Sequence, residues 1–283
     1  MFDKDQYELL DFGGGQKLER IAGVDVLREC PAASKGALQY KSPSDPSASN
    51  DRIAFDKQSG WDMSAKVPER WQLVHRDIVF NLKLTPYGHL GVFCEQAANW
   101  DWLSELPFDL AGKRVLNLFA YTGGSTLAMA SQGAEVVHID AAKNVVGWAR
   151  NNAASSGLSE APIRWIVDDA LKFVNREIKR GKKYDIIIAD PPSIGHAGKK
   201  MTWKFDRDIE SLLHGLSELV SDHFLALLVS CHTDGFDYRD LSRMACNQFA
   251  LGNGSSKSDT LDLVAADGRR LNCGHFFRWS RQK

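Results

Sequence analysis

Residues 113–140, KRVLNLFAYTGGSTLAMASQGAEVVHID, predict a strand, a glycine turn, a helix and a second strand. The apolar run at 115–118 is typical of a strand that is covered on both faces. Residues 121–124, YTGG, interrupt the run, and Ser125 is placed to cap the helix that follows. A second apolar run ends at Asp140. The stretch therefore predicts one βαβ unit of a parallel sheet.

Asp140 lies at the predicted tip of the second strand, roughly 20 residues after the glycine turn, where a carboxylate can bind both hydroxyls of a ribose. Gly123 and Gly124 would let the backbone approach a ligand closely. The spacing G-x-G-x-x-G is absent, so a dinucleotide is not the first choice. The alternative is an ordinary βαβ crossover that binds no nucleoside.

The composition is that of a globular protein in water. The chain has 283 residues, of which 43% are hydrophobic and 25% charged. Its formal net charge is -1, so any surface for nucleic acid must be a local patch. The sequence has no apolar run of membrane-spanning length, and its polar, acidic first residues do not resemble a signal peptide. We predict a cytoplasmic protein with no membrane partner.

The five cysteines, at positions 30, 94, 231, 246 and 273, are scattered and form no C-x-x-C pair. An odd number without framework spacing favours reduced thiols over disulfides. It also argues against structural zinc, and we predict no metal site. The sequence leaves the oligomeric state open.

Residues 1–110 are predicted to form a small β-rich module and a linker. Within it, residues 1–17 read as a loose leader and residues 41–51 as a loop rich in Pro, Ser and Asp. Alternating apolar residues at 78–84 and 90–94 flank the loop TPYGH and predict a β-hairpin. The segment FCEQAANWDWLSEL that follows predicts the start of a helix.

Residues 111–283 continue the alternation of strands and helices with short connections. Strands are predicted at 163–167, 184–189 and 224–230, helices at 143–156, 206–220 and 238–249, and a final antiparallel pair at 260–265 and 275–279. A further helix after Ala170 carries a basic face with Arg176, Lys179, Arg180, Lys182 and Lys183, which we interpret first as a solvated face. The pattern predicts a doubly wound, Rossmann-like α/β sheet, mostly parallel with a C-terminal antiparallel edge.

Several polar or small residues fall at the carboxyl ends of these predicted strands. They are Asn117–Gly124, Asp140, Asp169, Asp190 and Cys231. Ligands of doubly wound sheets bind at the carboxyl ends of the strands, where the strand order reverses. This convergence predicts a ligand site more strongly than any single motif.

Five ordered motifs resemble those of class I methyltransferases that use S-adenosylmethionine. They are VLNLFAYTGG at 115–124, ID at 139–140, DDA at 168–170, DIIIADPPSIG at 185–195 and LVSCHTDGF at 228–236. Together with the segment GVFCEQAANWDWL, the pattern over residues 74–279 is similar to bacterial 23S ribosomal RNA large-subunit methyltransferases of the cytosine-C5 and guanine-N7 kind. The RNA-binding PUA domain of some relatives has no evident counterpart here.

This resemblance implies S-adenosylmethionine as the cofactor and a set of residues that bind it. Residues 120–124 would cradle the methionine portion, Asp140 would take the ribose hydroxyls, and Asp169 or Asp168 would accept from the adenine amino group. The full implied set is Gln96, Asn117, Phe119, Ala120, Tyr121, Thr122, Gly123, Gly124, Asp140, Ala141, Asp168, Asp169, Ala170 and Asp190. Asn117 departs from the acidic residue that many methyltransferases have at this position.

The resemblance also implies that Asp190, Pro191 and Pro192 form the acceptor side of the active site. Two prolines stiffen the turn and aim the Asp190 carboxylate at the acceptor. Ser193 cannot stack on a base, which argues against methylation of adenine N6, and Ile194 stands where relatives often have an aromatic residue.

Three residues beyond this turn are further candidates for binding the substrate. Trp203 could provide a stacking surface, and Lys199 and Lys200 could meet phosphates. The alternative is a basic loop without a binding role beside a packed tryptophan.

Cys231 stands where cytosine-C5 relatives have their nucleophile. Cytosine C5 becomes nucleophilic only after a thiolate adds at C6, whereas guanine N7 already has a lone pair. The alternative is a small buried residue at a strand end, and His232 is a candidate partner of the thiol.

The leading hypothesis is a methyltransferase acting on a base of RNA, with ribosomal RNA as substrate and partner. It would transfer the methyl group by direct displacement between aligned donor and acceptor. One alternative is a methyltransferase of proteins or small molecules, which predicts no affinity for RNA. Another is a protein that binds S-adenosylmethionine without catalysis, which predicts cofactor binding and no product.

Overall fold

The computed structural model describes residues 2–39, 52–62, 66–197 and 200–282. The chain forms two compact units, each built from two separate segments. The first unit contains Met1–Ala97 and Asp262–Cys273, and the second contains Ala98–Leu261 and Gly274–Lys283. A domain boundary at residue 110 stays a prediction, because compact units and independently folding domains are different things.

The first unit is made mostly of β-strands. They are β1 (Tyr7–Gly13), β2 (Gln16–Ile21), β3 (Val24–Glu29), β4 (Arg52–Asp56), β5 (Gly60–Asp62), β6 (Gln72–His75) and β7 (Ile78–Asn81). The first five form one sheet in sequence order, in which only the β3–β4 pair is parallel. The strands β6 and β7 form a separate hairpin. Short 3-10 helices occupy Pro31–Ala33 and Cys94–Gln96.

The predicted leader at residues 1–17 is wrong, because it contains β1 and the start of β2. Its polar residues favour exposure to solvent, yet several of them form ion pairs inside the first unit. Asp11 accepts from the Arg269 guanidinium, and the Lys17 ammonium lies 2.8 Å from a Glu19 oxygen. Paired charges can be buried where unpaired charges cannot. The loop predicted at 41–51 lies outside the described residues.

The hairpin predicted around TPYGH is also corrected. Residues 78–81 pair with 72–75 instead, across the two-residue turn at Arg76 and Asp77. The TPYGH segment closes on itself, because Thr85 N–H donates to the His89 carbonyl at 3.1 Å. The predicted helix near residue 97 is confirmed as α1 (Ala97–Ser104).

The second unit alternates strands and helices. Its other helices are α2 (Gly124–Ala130), α3 (Lys143–Ser155), α4 (Ala170–Lys179), α5 (Phe205–Ser217) and α6 (Tyr238–Gln248). Its strands are β8 (Arg114–Leu118), β9 (Glu135–Asp140), β10 (Ile163–Val167), β11 (Ile186–Ala189), β12 (Ile194–Ala197), β13 (Lys200–Lys204) and β14 (Ala226–Cys231). The last two strands, β15 (Gly254–Val264) and β16 (Arg270–Arg281), belong to it except for residues 262–264 and 270–273, which are in the first unit. The predicted elements of residues 111–283 are confirmed, with two differences. The last two strands begin earlier than predicted, at residues 254 and 270 instead of 260 and 275, and β12 and β13 form an unpredicted small hairpin.

Seven strands form the main sheet, in the order β10-β9-β8-β11-β14-β16-β15. The five strands from β10 to β14 are parallel, and β16 pairs antiparallel with β14. This arrangement confirms the predicted doubly wound α/β fold with a C-terminal antiparallel edge. The chain moves outward from β8 through β9 to β10 and then returns to the other side of β8 at β11. The strand order therefore reverses between β8 and β11, where ligands of such sheets bind.

Apolar side chains cover both faces of this sheet. Leu116, Leu118, Ile187 and Ala189 belong to one core cluster, together with residues of α4, α5 and α6. Their neighbours in the strands point to the other face, in a cluster with residues of α1 and α2. Because side chains alternate along a strand, coverage on both faces explains the apolar runs in the sequence.

Candidate active site at the carboxyl edge of the sheet

The backbone that follows β8 is strained. Phe119 has φ 55° and Tyr121 has φ 48°, a left-handed conformation that residues with a side chain adopt rarely. The end of β9 holds this segment, because Ala120 N–H donates to the Ile139 carbonyl at 3.0 Å. Strained backbone of this kind is concentrated at functional sites.

Asp140 connects this strained segment to the start of α3. Its Oδ2 accepts from Tyr121 N–H at 3.0 Å, and its Oδ1 accepts from Ala142 N–H at 2.9 Å. Burial raises the pKa of the Asp140 carboxyl, and these backbone N–H groups oppose the rise. A carboxylate has about four acceptor positions. Backbone N–H groups of Tyr121, Ala141 and Ala142 use part of this capacity, and the remainder is available to a hydroxyl donor, which fits the ribose prediction.

The two glycines after Tyr121 have separate structural reasons. Gly123 has φ 98° and precedes the first residue of α2, so the predicted cap at Ser125 is wrong. A Cβ on Gly124 would lie 2.4 Å from the Trp100 indole. Gly124 therefore lets α2 pack against α1, whereas Gly123 supplies a conformation that a side chain disfavours.

Asn117 is buried and points into a polar chain beneath this segment. Its Nδ2 donates to Thr126 Oγ1 at 2.9 Å, and the Thr126 hydroxyl lies 2.9 Å from His138 Nδ1. Burial lowers the pKa of His138 to about 3, and the Arg150 charge adds to the shift. The uncharged imidazole can accept at Nδ1 from the Thr126 hydroxyl. These contacts fix the Asn117 amide, whose cofactor role stays a prediction.

Asp168 and Asp169 follow β10 and already have partners within the unit. The Asp169 side chain accepts from Lys172 N–H at 3.0 Å and caps α4. The Asp168 carboxylate is paired with the Arg176 guanidinium and also accepts from Asp169 N–H at 2.9 Å. Ala170 is buried at the first position of α4. Binding of adenine by these residues stays a prediction.

Asp190 directly follows β11, and two side chains at the end of the neighbouring strand β14 contact its carboxylate. Ser230 Oγ donates to Asp190 Oδ1 at 2.5 Å, and His232 Nε2 lies 3.2 Å from the same oxygen. About a third of the Asp190 side chain is exposed (31%). The carboxylate is therefore oriented by the protein and accessible from solvent.

The residues after Asp190 and Cys231 are also joined. Thr233 Oγ1 donates to Ser193 Oγ at 3.0 Å, which connects the two strand ends. A Cβ on Gly274 would lie 2.5 Å from His232 Nδ1, so this glycine makes room for the imidazole. Sequence reasoning did not single out Ser230, Thr233 or Gly274 as site residues, although the motif at 228–236 contains the first two. A polar run directly after the apolar β14 was the available signal.

Trp203 is buried, with 3% of its surface exposed. Its Nε1 donates to the Pro192 carbonyl at 2.7 Å, and its ring lies edge-on to Phe119 at 4.8 Å between centroids. The indole therefore secures both the proline turn and the strained segment. In this conformation its ring offers no face to a base, and its stacking role stays a prediction.

Cys231 is fully buried in the core cluster beneath α5 and α6. Burial raises the pKa of its thiol, although Thr233 N–H donates to the sulfur at 3.4 Å. A thiol with a raised pKa forms little of the thiolate that attacks carbon. These surroundings are typical of a cysteine that only packs in the core. They do not support a role for Cys231 as a nucleophile.

The remaining predicted site residues are Gln96, Lys199 and Lys200. Gln96 is buried in the 3-10 helix of the first unit. Lys199 lies outside the described residues, and Lys200 begins β13 with a side chain that is also outside them. Their predicted roles stay predictions.

The carboxyl edge of the main sheet thus combines three features at the point where the strand order reverses. The first is the strained, glycine-containing loop after β8. The second is the half-buried Asp140 carboxylate at the end of β9. The third is the Asp190 carboxylate after β11, which Ser230 orients and which is about a third exposed. A carboxylate that can accept from ribose hydroxyls, beside a second one that can accept from an amine, fits a ligand that contains a nucleoside. The fold and site define a nucleoside-binding doubly wound domain.

Comparison with known proteins identifies the kind of nucleoside. The family model for S-adenosylmethionine-dependent methyltransferases matches residues 47–243. The chain therefore belongs to the S-adenosylmethionine-dependent methyltransferase family, as the motifs predicted.

Curated relatives include the ribosomal RNA large subunit methyltransferase K/L of Shewanella frigidimarina. It is 35% identical over 181 residues, which cover 60% of this chain and 24% of the relative. The corresponding Shewanella baltica protein is 30% identical over 172 residues. The chain thus matches about a quarter of the length of these curated relatives.

A crystal structure of an S-adenosylmethionine-dependent methyltransferase from Agrobacterium tumefaciens is similar along almost the whole chain. It is 32% identical, has a TM-score of 0.87, and the match covers 98% of this chain and 91% of that one. Another solved chain, assigned as a methyltransferase and complexed with S-adenosylhomocysteine, is 18% identical with a TM-score of 0.75 over 97% of this chain and 75% of its own. At that identity the likeness concerns the fold alone.

None of the helices in the described residues combines the length and the apolar composition that a membrane span requires. Within the same parts of the chain, no group of three or more His, Cys, Asp or Glu side chains could hold a metal ion.

Proposed function

We propose that this chain transfers the methyl group of S-adenosylmethionine to a nitrogen of a base in ribosomal RNA. The observation that carries the proposal is the Asp190 carboxylate, oriented by Ser230 and His232 and exposed at the reversal of strand order. Support for RNA comes from the curated relatives, which are named as ribosomal RNA methyltransferases.

The cofactor would lie along the loop after β8. Asp140 would bind the ribose hydroxyls with its remaining acceptor positions, while its bonds to Tyr121 and Ala142 keep it in place. The backbone of residues 119–124 would border the methionine portion, and Asp168 or Asp169 with Ala170 would border adenine. Asn117, Ala141 and Gln96 stay in the proposed set on the strength of their motifs.

When bound, S-adenosylmethionine supplies an electrophilic methyl group on its sulfonium. The task of the protein is then to hold a lone pair of the acceptor in line with it, which lowers the entropic part of the barrier. Asp190 would accept a hydrogen bond from the base and so fix its plane. Pro191 and Pro192 would restrict the turn, since the Pro192 carbonyl is already bound by Trp203.

A nitrogen acceptor fits the surroundings of Cys231 better than cytosine C5 does. Methylation at C5 needs a thiolate that reaches the base, and the thiol here is fully buried with a raised pKa. A nitrogen has its own lone pair and needs no covalent step. Ser193, at the position where exocyclic-amine methyltransferases have an aromatic residue, would contact the substrate by its hydroxyl.

The proposed compartment is the cytoplasm, where ribosomal RNA is available. All five cysteines are free thiols in the structure, which suits a reducing environment.

The test is transfer of labelled methyl groups from S-adenosylmethionine to 23S ribosomal RNA and to large ribosomal subunits. Both substrates should come from a strain that lacks this protein, and the labelled nucleoside should be identified after digestion. We expect label in one N-methylated nucleoside.

The other outcomes separate the alternatives. Label in 5-methylcytidine would overturn the nitrogen acceptor and restore Cys231 as a nucleophile. Label only in proteins or small molecules would replace RNA as the substrate. Tight binding of S-adenosylmethionine without label in any cellular fraction would indicate a binding protein.

A further inference from the structure

A row of cations runs along the exposed face of α4. Lys172, Arg176, Lys179 and Arg180 are spaced by four, three and one residues, which places them on one side of a helix. All four residues are exposed. The row spans about 12 Å along the helix axis. We refer to these four residues as the cation row.

The cation row begins at the candidate active site. The helix α4 starts directly after Asp169, at the carboxyl edge of the sheet, and the Arg176 guanidinium is paired with Asp168 at the same edge. The helix runs antiparallel to the strands that it crosses, as a βαβ connection requires. Arg180 therefore lies toward the amino edge, at the opposite end of the strands.

A cavity of about 400 Å³ continues the positive charge at the amino edge. Four exposed cations line it: Arg114 at the start of β8, Arg164 in β10, and Lys182 and Lys183 before β11. We refer to this feature as the basic cavity. Its residues come from three places in the sequence, so sequence patterns could not show their convergence.

Both arginines of the basic cavity lie on the same face of the sheet as α4. Arg114 precedes Leu116 by two residues, and Arg164 precedes Ile166 by two. Leu116 and Ile166 pack in the core cluster that contains α4 residues. Since side chains alternate along a strand, each arginine points to that face as well. The cation row and the basic cavity are therefore on one side of the unit.

Acidic side chains offset only part of this charge, since Arg176 is paired with Asp168 and Arg180 with Glu177. Glu177 lines the cavity but is 1% exposed, and it accepts from Tyr184 OH at 2.7 Å and from Arg180 Nη1 at 3.0 Å. Glu135 is the exposed acid of the lining. Among the described residues, Arg114 and Lys182 have no ion-pair partner.

Ordinary helix stabilisation explains only part of this arrangement. Cations in the last turn of a helix interact favourably with its dipole, which accounts for Lys179 and Arg180. It does not account for Arg114 and Arg164, which belong to strands. The formal net charge of the chain is -1, so the concentration of cations here is local.

We propose that the cation row and the basic cavity bind the phosphate backbone of the RNA substrate, an inference that rests on the proposed function. Phosphates repeat along an RNA chain, and a row of exposed cations matches such a polyanion better than it matches a single small anion. The backbone would follow α4 from the basic cavity to the carboxyl edge, where the target base enters.

The test compares two double variants that each lose one arginine and one lysine. Arg164→Gln with Lys182→Gln removes two charges of the basic cavity. Arg150→Gln with Lys257→Gln removes two exposed charges from α3 and β15, outside the cation row and the basic cavity. The measurement is the Kd for protein-free 23S ribosomal RNA over a range of salt concentrations, with the Kd for S-adenosylmethionine as a check of folding.

We expect the first variant to raise the Kd for RNA about tenfold near physiological salt and to reduce the slope of log Kd against log salt by roughly 1 to 2. The control variant should stay close to wild type, and cofactor binding should be unchanged in both. Under turnover, the KM for RNA should rise while kcat is kept, because phosphate contacts orient the substrate without taking part in the reaction.

Two results would overturn the proposal in distinguishable ways. Equal losses in both variants, or no change in the salt slope, would exclude this surface while the wild type still methylates RNA. A wild type that binds S-adenosylmethionine but no RNA would remove the proposed function and this surface with it. In that case, binding to vesicles of phosphatidylcholine and phosphatidylserine would show that the cations serve a membrane.

Discussion

The two edges of the main sheet are made from the same strands and differ in almost every other respect. At the carboxyl edge, Asp140 ends β9, Asp190 follows β11, and the backbone at Phe119 and Tyr121 is strained. At the amino edge, cations gather around the basic cavity. Carboxylates can accept hydrogen bonds from the hydroxyl and amine groups of a nucleoside, whereas cations attract phosphate groups. Under the proposed function, one sheet would bind the nucleoside and the target base at one edge and the RNA backbone at the other.

The largest expected effect is at Asp190. Asp190→Asn should lower kcat by about 100-fold or more, because an amide cannot replace the oriented carboxylate. Cofactor binding should change little. The matched control is Asp222→Asn, which alters an exposed acid near the amino edge. Equal kcat values for the two variants would break the distinction between the edges.

His138 should make the support beneath the carboxyl edge sensitive to acid. Burial lowers the pKa of His138 to about 3 in the folded protein, so the folded state binds this proton less readily than the unfolded chain does. The uncharged His138 therefore keeps its full contribution to stability above the pKa that histidine has in the unfolded chain. This contribution is lost as the pH falls below that pKa. We expect the free energy of unfolding to be about 2.5 kcal/mol lower at pH 4.5 than at pH 7 from this residue alone.

The measurement is urea unfolding at both pH values for wild type and for His138→Gln, which should lose most of this histidine's share of the pH dependence. His223→Gln, at an exposed position near the amino edge, is the control and should keep it. An unchanged pH dependence in His138→Gln would show that the imidazole is protonated without cost.

Asp140→Asn should weaken binding of S-adenosylmethionine about 10- to 100-fold, since hydrogen bonds to a charged group contribute about 1.5–3 kcal/mol. Titration calorimetry with S-adenosylhomocysteine would measure the change. Asp222→Asn is again the control. Unaltered affinity would mean that the ribose lies elsewhere on the carboxyl edge.

Two helical glycines should respond to alanine with opposite signs. Gly124→Ala should lower the free energy of unfolding by about 1–3 kcal/mol, because the new Cβ meets the Trp100 indole. Gly147→Ala, in an exposed part of α3 with nothing within 4 Å, should raise it by about 0.5–1 kcal/mol. Thermal melts of both variants would check this, and a stable Gly124→Ala would show that α1 can move aside.

The smallest expected effect is at Cys231. Cys231→Ala should keep kcat within about threefold of wild type while costing about 1 kcal/mol of stability from lost packing. Loss of all transfer in a variant that is folded and binds the cofactor would restore the nucleophile hypothesis. This outcome would also place covalent chemistry at the carboxyl edge.

Local sequence patterns predicted most of the fold of the second unit. Strands covered on both faces leave continuous apolar runs, and glycine and acidic residues mark where each run stops, so 113–140 predicted β8, α2 and β9 correctly. The same local signals failed at residues 1–17, because paired charges such as Lys17 and Glu19 look like solvent-exposed residues until their partners are known. Hydrophobic patterns in the sequence identify a buried segment only when that segment contains no charged residues.

Tertiary structure alone decided which residues meet. Asp190 contacts Ser230 and His232 at the end of the neighbouring strand, although they follow it by 40 and 42 residues in the chain, and no spacing rule connects them. Arg114 and Arg164 converge in the same way. The helices packed over the strands decide two further points. They bury Cys231 in the core, and they hold Trp203 where its indole bonds the Pro192 carbonyl instead of presenting a stacking surface. Contacts over long separations follow from packing, which a linear pattern does not encode.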